Sequence, residues 1–136
     1  MNDKKPKTAA GNIEETLRQE LLPRFWPALA GEFTGTFILV FFGVGAVNAA
    51  VVSGAQVGLW QVAAVWAVGV ALGIYASASL SGGHINPAIT VVAAIYDRFP
   101  IGRVVPYCAA QVFGAACASL LLYTLFSEAI IEFERQ

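Results

Sequence analysis

The residues whose types and spacing could do chemistry lie in one stretch, Ser81-Gly-Gly-His-Ile-Asn-Pro-Ala-Ile-Thr90. It interrupts an apolar sequence. His84 is the only histidine in the chain. The adjacent Gly82 and Gly83 permit tight backbone turns. Asn86 is a good N-cap, and Pro87 suits the first helical position because its missing N–H goes unused there. Ala88 follows and opens an apolar run to Tyr96. The stretch therefore offers neutral hydrogen-bonding groups: the Gly82, Gly83 and His84 carbonyls as acceptors, and the Asn86 amide and a helix N-terminus as donors. One histidine and one carboxylate within the apolar sequence, with no nucleophile beside a base, make no enzyme active site. No metal or cofactor set is expected.

The elements that position these groups follow from length. The run from Asn86 to Tyr96 rises about 16 Å as a helix, roughly half a hydrocarbon core. Two readings fit. One is a half-helix that starts at mid-membrane, where irregular backbone survives only if it is buried in protein or lines a wet cavity. The other is a polar surface loop between two ordinary helices.

Composition places the chain in a membrane. Of 136 residues, 57% are hydrophobic and 12% charged, and mean hydropathy is +0.67. Phe33 to Tyr96 holds no formal charge, room for two spans of about 20 residues. A net charge of −1 does not suggest nucleic acid as a partner. Cys108 and Cys117 fall on one predicted helix about 13 Å apart along its axis, too far for a disulfide within the chain. They read as small packing residues.

Residues 1–25 form a basic polar arm with a capping-box pattern at Asn12 and Glu15. The arm reads as cytoplasmic, not as a signal peptide. The first span runs from about Pro27 to Val52 and carries Gly31-x-x-x-Gly35, which allows close helix approach. It also carries Glu32, set inside the span where an ionisable group is expensive. Glu32 either snorkels to the surface or accepts hydrogen bonds from the Gly82–Ile85 backbone or His84. The second span, about Leu59 to Leu80, aligns Trp66, Gly69, Gly73 and Ser77 on one face and Val68, Leu72 and Tyr75 on the other. The first face suits packing or a pore, the second lipid. Trp66 reads as core filling or as a functional side chain. The third span, about Val104 to Phe126, aligns Tyr107, Gln111, Gly114 and Ala118, and a buried Gln111 needs partners. Residues 26–126 thus make one domain, and 127–136 a short acidic tail.

The ten-residue stretch resembles the first Asn-Pro-Ala signature of the aquaporin (major intrinsic protein) family. Glu-Phe-Thr-Gly-Thr at 32–36 and Leu39-Val-Phe-Phe-Gly43 are similar to its first helix, although the family usually has Ala at the place of Gly31. The resemblance covers about residues 24–135 and only the first of the family's two inverted halves. It implies an all-α membrane fold: three transmembrane helices and one re-entrant half-helix carrying Asn86, Pro87 and Ala88. Trp66, 20 residues ahead of Asn86, stands where glycerol facilitators place a tryptophan of the outer selectivity filter. The resemblance implies that Glu32 and Gln111 brace the loop. It also implies passive passage of glycerol-like neutral solutes and water, with a homotetramer in the plasma membrane.

Orientation comes from charge. Lys4, Lys5, Lys7, Arg18 and Arg24 precede the first span, Arg98 and Arg103 lie between the second and third, and only Arg135 falls on the other side. The positive-inside rule then puts the N-terminus in the cytoplasm and Trp66 in the outer half. No second Asn-Pro-Ala is present. One half is expected to need a complementary half or a full-length channel as partner in the bilayer. The competing expectations are a non-conducting fragment or assembly-modulating membrane protein, and half of an unrelated inverted-repeat transporter.

Overall fold

A computed structural model describes residues 24–55, 58–97 and 99–135. The predicted arm helix and Arg98 lie outside the described residues. Among these residues are four α-helices: α1 (Phe25–Val51), α2 (Leu59–Ser81), α3 (Pro87–Tyr96) and α4 (Val104–Glu134), with a 3-10 turn at Ile101–Arg103 leading into α4. Helices α1, α2 and α4 are long and apolar enough to cross a membrane, while α3 is not. Its 10 residues rise about 15 Å. The last helix outruns expectation. The acidic tail from Ser127 continues α4 to Glu134, because no Gly or Pro interrupts it and its residues tolerate helix.

Helix α1 is central. It packs against both α2 and α4, and α3 lies along α4. The α1–α2 seam runs antiparallel through small residues. A Cβ on Gly35 would lie 2.8 Å from the Gly73 carbonyl oxygen, and one on Gly73 would lie 2.7 Å from the Gly35 carbonyl oxygen. The two backbones therefore touch, as small-residue seams permit in lipid. Gly31 meets Ser81 near one end of the seam, and Gly43 meets Trp66 toward the other. On the far side of α1, Gly114 of α4 sits against the Phe33 backbone. Tyr107, Gln111, Gly114, Ala118 and Leu122 are the buried stripe of α4. Val68, Leu72 and Tyr75 of α2 face outward, as lipid-facing side chains do.

The chain does not leave the fold after α2. Gly82 ends that helix in the left-handed conformation (φ 92°), with its N–H on the Ala78 carbonyl at 3.0 Å. The loop then doubles back. Ile85 is buried, and its side chain sits in the notch between Gly35 and Gly73. Gly73 is about 12 Å up α2 from Ser81 by helix rise, so α3 starts well inside the bundle. The surface-loop reading is thereby replaced by the re-entrant one.

This notch yields a test. A methyl at Gly35 would meet the Ile85 side chain at 2.5 Å and Ser77 Oγ at 2.8 Å. Gly35→Ala is expected to cost about 1–3 kcal/mol by overpacking. Gly102→Ala, where a Cβ meets nothing within 4 Å, is the control. Thermal unfolding in detergent compares the two, and equal midpoints would refute a closed notch.

Candidate functional site: a re-entrant loop held by a buried carboxylate

Glu32 is fully buried on α1, and three donors converge on it. The His84 backbone N–H donates to Oε1 at 3.0 Å, and the Ile85 N–H to Oε2 at 2.7 Å. The Gln111 side-chain amide donates to Oε2 at 2.6 Å. Snorkelling is therefore not what this side chain does. The bonds fall on a backbone that needs holding. Ile85 has φ 42°, a conformation that costs a β-branched residue about 1–3 kcal/mol. Hydrogen bonds to a charged acceptor contribute about 1.5–3 kcal/mol each, and burying an isoleucine side chain about 1.5–3 kcal/mol. The holding terms exceed the strain.

A second layer fixes Gln111 and His84. The Gln111 amide also donates to Thr90 Oγ1 at 3.0 Å. Thr90 Oγ1 donates to the Asn86 carbonyl at 3.1 Å and lies 3.2 Å from His84 Nδ1. A hydroxyl has one proton. With that proton on Asn86, the His84 contact has Nδ1–H as its donor. The His84 ring also packs against Phe99 and Tyr107, with ring centroids 4.8 and 5.3 Å away. Tyr107 donates its hydroxyl to the Ser81 carbonyl at 3.1 Å. Ser81 Oγ accepts from the Gly83 N–H at 3.1 Å. Gln111 Oε1 and Thr36 Oγ1 are buried without a partner among the described residues.

The loop delivers its polar end to an open face. Asn86 is exposed and extended, and its Oδ1 accepts from the Ala88 N–H at 2.8 Å. Capping with the oxygen turns the Nδ2 donor pair outward. Pro87, Ala88 and Gly82 are exposed too, and Gly83 and His84 half-buried. Trp66 is not part of this cluster. It lies about 10 Å further along α2 from Gly73 by helix rise, half-buried, with its indole flat on Gly43. No side-chain hydrogen bond involves its indole among the described residues. The arrangement can present neutral donors, a helix N-terminus and an aromatic face.

Residues 21–135 match the major intrinsic protein family. The chain belongs to that family. A glycerol uptake facilitator protein of Pseudomonas aeruginosa is 46% identical over 114 residues, covering 83% of this chain and 40% of the relative. The propanediol uptake facilitator PduF of Salmonella typhimurium is 44% identical over 103 residues, covering 76% and 39%. The solved aquaglyceroporin of Plasmodium falciparum superimposes with a TM-score of 0.73 at 30% identity, covering 80% of this chain and 45% of that one. The chain thus spans about 40% of the length of the curated relatives it matches. It is a multi-pass membrane protein of a channel family, with the aquaporin fold over the described residues.

Sequence reasoning offers the Gly82–Ile85 backbone as donor to Glu32, as the hydrogen bonds at His84 and Ile85 have it, but it does not single out Thr90, Ser81 or Phe99 as parts of this network. Thr90 carries a signal: it stands four residues after the N-cap Asn86, one helical turn on. The left-handed Ile85 carries none. The Glu32 network makes its own prediction. Glu32→Gln puts an NH2 against donors, and disrupting a buried charged network costs about 3–5 kcal/mol. Glu132→Gln, on the exposed end of α4, should cost under about 0.5 kcal/mol. Matched melting of the two variants in detergent would remove Glu32 from the bracing role.

Proposed function

We propose that this major intrinsic protein forms one wall of a passive channel for glycerol-like neutral solutes and water. The carrying observation is the Glu32 carboxylate bound to the His84 and Ile85 N–H groups. It commits the loop's inward donors to the protein and leaves Asn86, at the α3 N-terminus, facing the open side. In this reading Asn86 Nδ2 donates to a solute hydroxyl while the Gly82, Gly83 and His84 carbonyls accept from it. Pro87 and Ala88 shape the turn beside it. Glu32 and Gln111 brace the loop. The half-helix dipole opposes cations and protons. Trp66 offers an apolar face to the carbon chain of a polyol. The names of the facilitator relatives support the solute class.

The reading includes a plasma-membrane location with the N-terminus in the cytoplasm, since seven of the eight Lys and Arg fall on that side. It also includes the homotetramer that the family resemblance implies. A second, inverted half completes the path. Two copies of this chain are poorly suited to supply it, because its charge bias favours one insertion direction.

Two measurements test this. Vesicles holding this polypeptide alone should show no glycerol or water flux above lipid background in stopped-flow light scattering. A chimera in which this chain replaces its matching segment of the Pseudomonas aeruginosa facilitator should conduct both. In that chimera Trp66→Phe should shift the glycerol-to-water permeability ratio roughly threefold, since it removes part of an apolar contact. Robust flux from the isolated chain overturns the need for a second half, and an unchanged ratio removes Trp66 from the solute path.

A further inference from the structure

We infer that Gly43 is a positioning residue for solute selectivity, acting through Trp66. The inference rests on the reading of Trp66 as a solute-facing side chain. The observation is separate from it. A Cβ built on Gly43 would lie 2.6 Å from Trp66 Cε2 and 2.7 Å from both Cδ2 and Cε3, whereas ordinary contact begins at 3.4 Å. The six-membered ring of the indole therefore lies directly on the bare Cα of Gly43. Gly43 is buried and Trp66 half-buried, so one face of the indole is seated and the remainder is open.

What an added methyl displaces is decided by the rest of the seam. The helices cannot part easily at this level. Gly69, one turn from Trp66, holds Phe42 so closely that its own Cβ would meet Phe42 Cβ at 2.8 Å. Gly35 and Gly73 lock the backbones further along. The indole is the neighbour with freedom to give, and the open side is where it can go. Any side chain at position 43 pushes the ring away from α1. If Trp66 lines the solute path, that push narrows it. A bulky carbon-chain solute loses more than water does. No hydrogen bond holds the indole in place among the described residues, so the seat on Gly43 sets the plane of the ring.

The test uses the chimera described above, with Gly43→Ala, Trp66→Phe and the double variant, reading glycerol and water permeability. Gly43→Ala should lower glycerol flux at least about threefold more than water flux. The smaller ring of Trp66→Phe leaves room for the methyl. The double variant should therefore have the ratio of Trp66→Phe alone. A general packing role would lower both fluxes together and would persist when Trp66→Phe is also present, and that result overturns the inference. A ratio that moves with Trp66→Phe but not with Gly43→Ala overturns it while leaving the Trp66 reading intact. A ratio unmoved by Trp66→Phe overturns both.

A second measurement needs no flux. In the isolated chain carrying Trp26→Phe and Trp60→Phe, Trp66 is the sole tryptophan. Gly43→Ala should then raise its acrylamide quenching constant about twofold in detergent, because the displaced ring loses its seat. An unchanged constant overturns the inference even where the chimera fails to insert.

Discussion

Backbone N–H groups at membrane depth must be satisfied inside the protein, and at His84 and Ile85 a single carboxylate does this. Everything else about the loop follows. A helix that begins inside the bundle needs a chain that turns back on itself, and that turn leaves helical hydrogen bonding for several residues. Glu32 supplies two of the missing acceptors from the neighbouring span. A neutral side chain with one acceptor would leave a donor buried and unpaired, at about 1–3 kcal/mol. The charge is costly in lipid. Its cost is offset because three donors surround it and the side chain is closed off from lipid.

The glycines serve the same end. The carboxylate reaches the loop only if the loop lies close to α1, and the loop lies close only because Gly35 and Gly73 leave a notch for Ile85. One side chain therefore carries two roles. Its left-handed backbone turns the chain toward α3, and its buried aliphatic part locks the turn against both long helices. Polar holding and apolar wedging act on the same residue, and together they fix the turn.

How much of this is legible in the sequence depends on the range of the interaction. Span starts, the buried stripes of α2 and α4 and the cap at Asn86-Pro87 are local or periodic signals, and these features lie within a residue or two of where periodicity places them. Glu32 and Gln111 are legible for another reason: a polar residue in an apolar span must have a partner. Which atoms they meet is less so. The Glu32–Ile85 pair spans 53 residues, and no pattern in the sequence reports that an isoleucine adopts φ 42°. The extent of α4 escapes a reading that takes acidity as a break, because acidic residues such as Glu propagate a helix well. Gly43 enters the sequence reading only as the end of the family-like string Leu39-Val-Phe-Phe-Gly43. Its meaning comes only from what lies on it.

The two ends of the α1–α2 seam divide the labour. At the loop, the groups on offer are an amide, carbonyls and a helix N-terminus, and these treat water and any small alcohol alike. In the proposed channel, discrimination therefore needs a surface that carbon favours and water does not. The indole of Trp66 is such a surface, and it sits about 10 Å beyond Gly73 along α2. Its ring lies on the bare Gly43 of α1, the same helix that carries Glu32. In the proposed channel one helix fixes both the hydrogen-bonding station and the apolar one, and their separation is the spacing of two positions on α1. A change in loop chemistry should alter how tightly hydroxyls are met. A change at the seam should alter which molecules reach them.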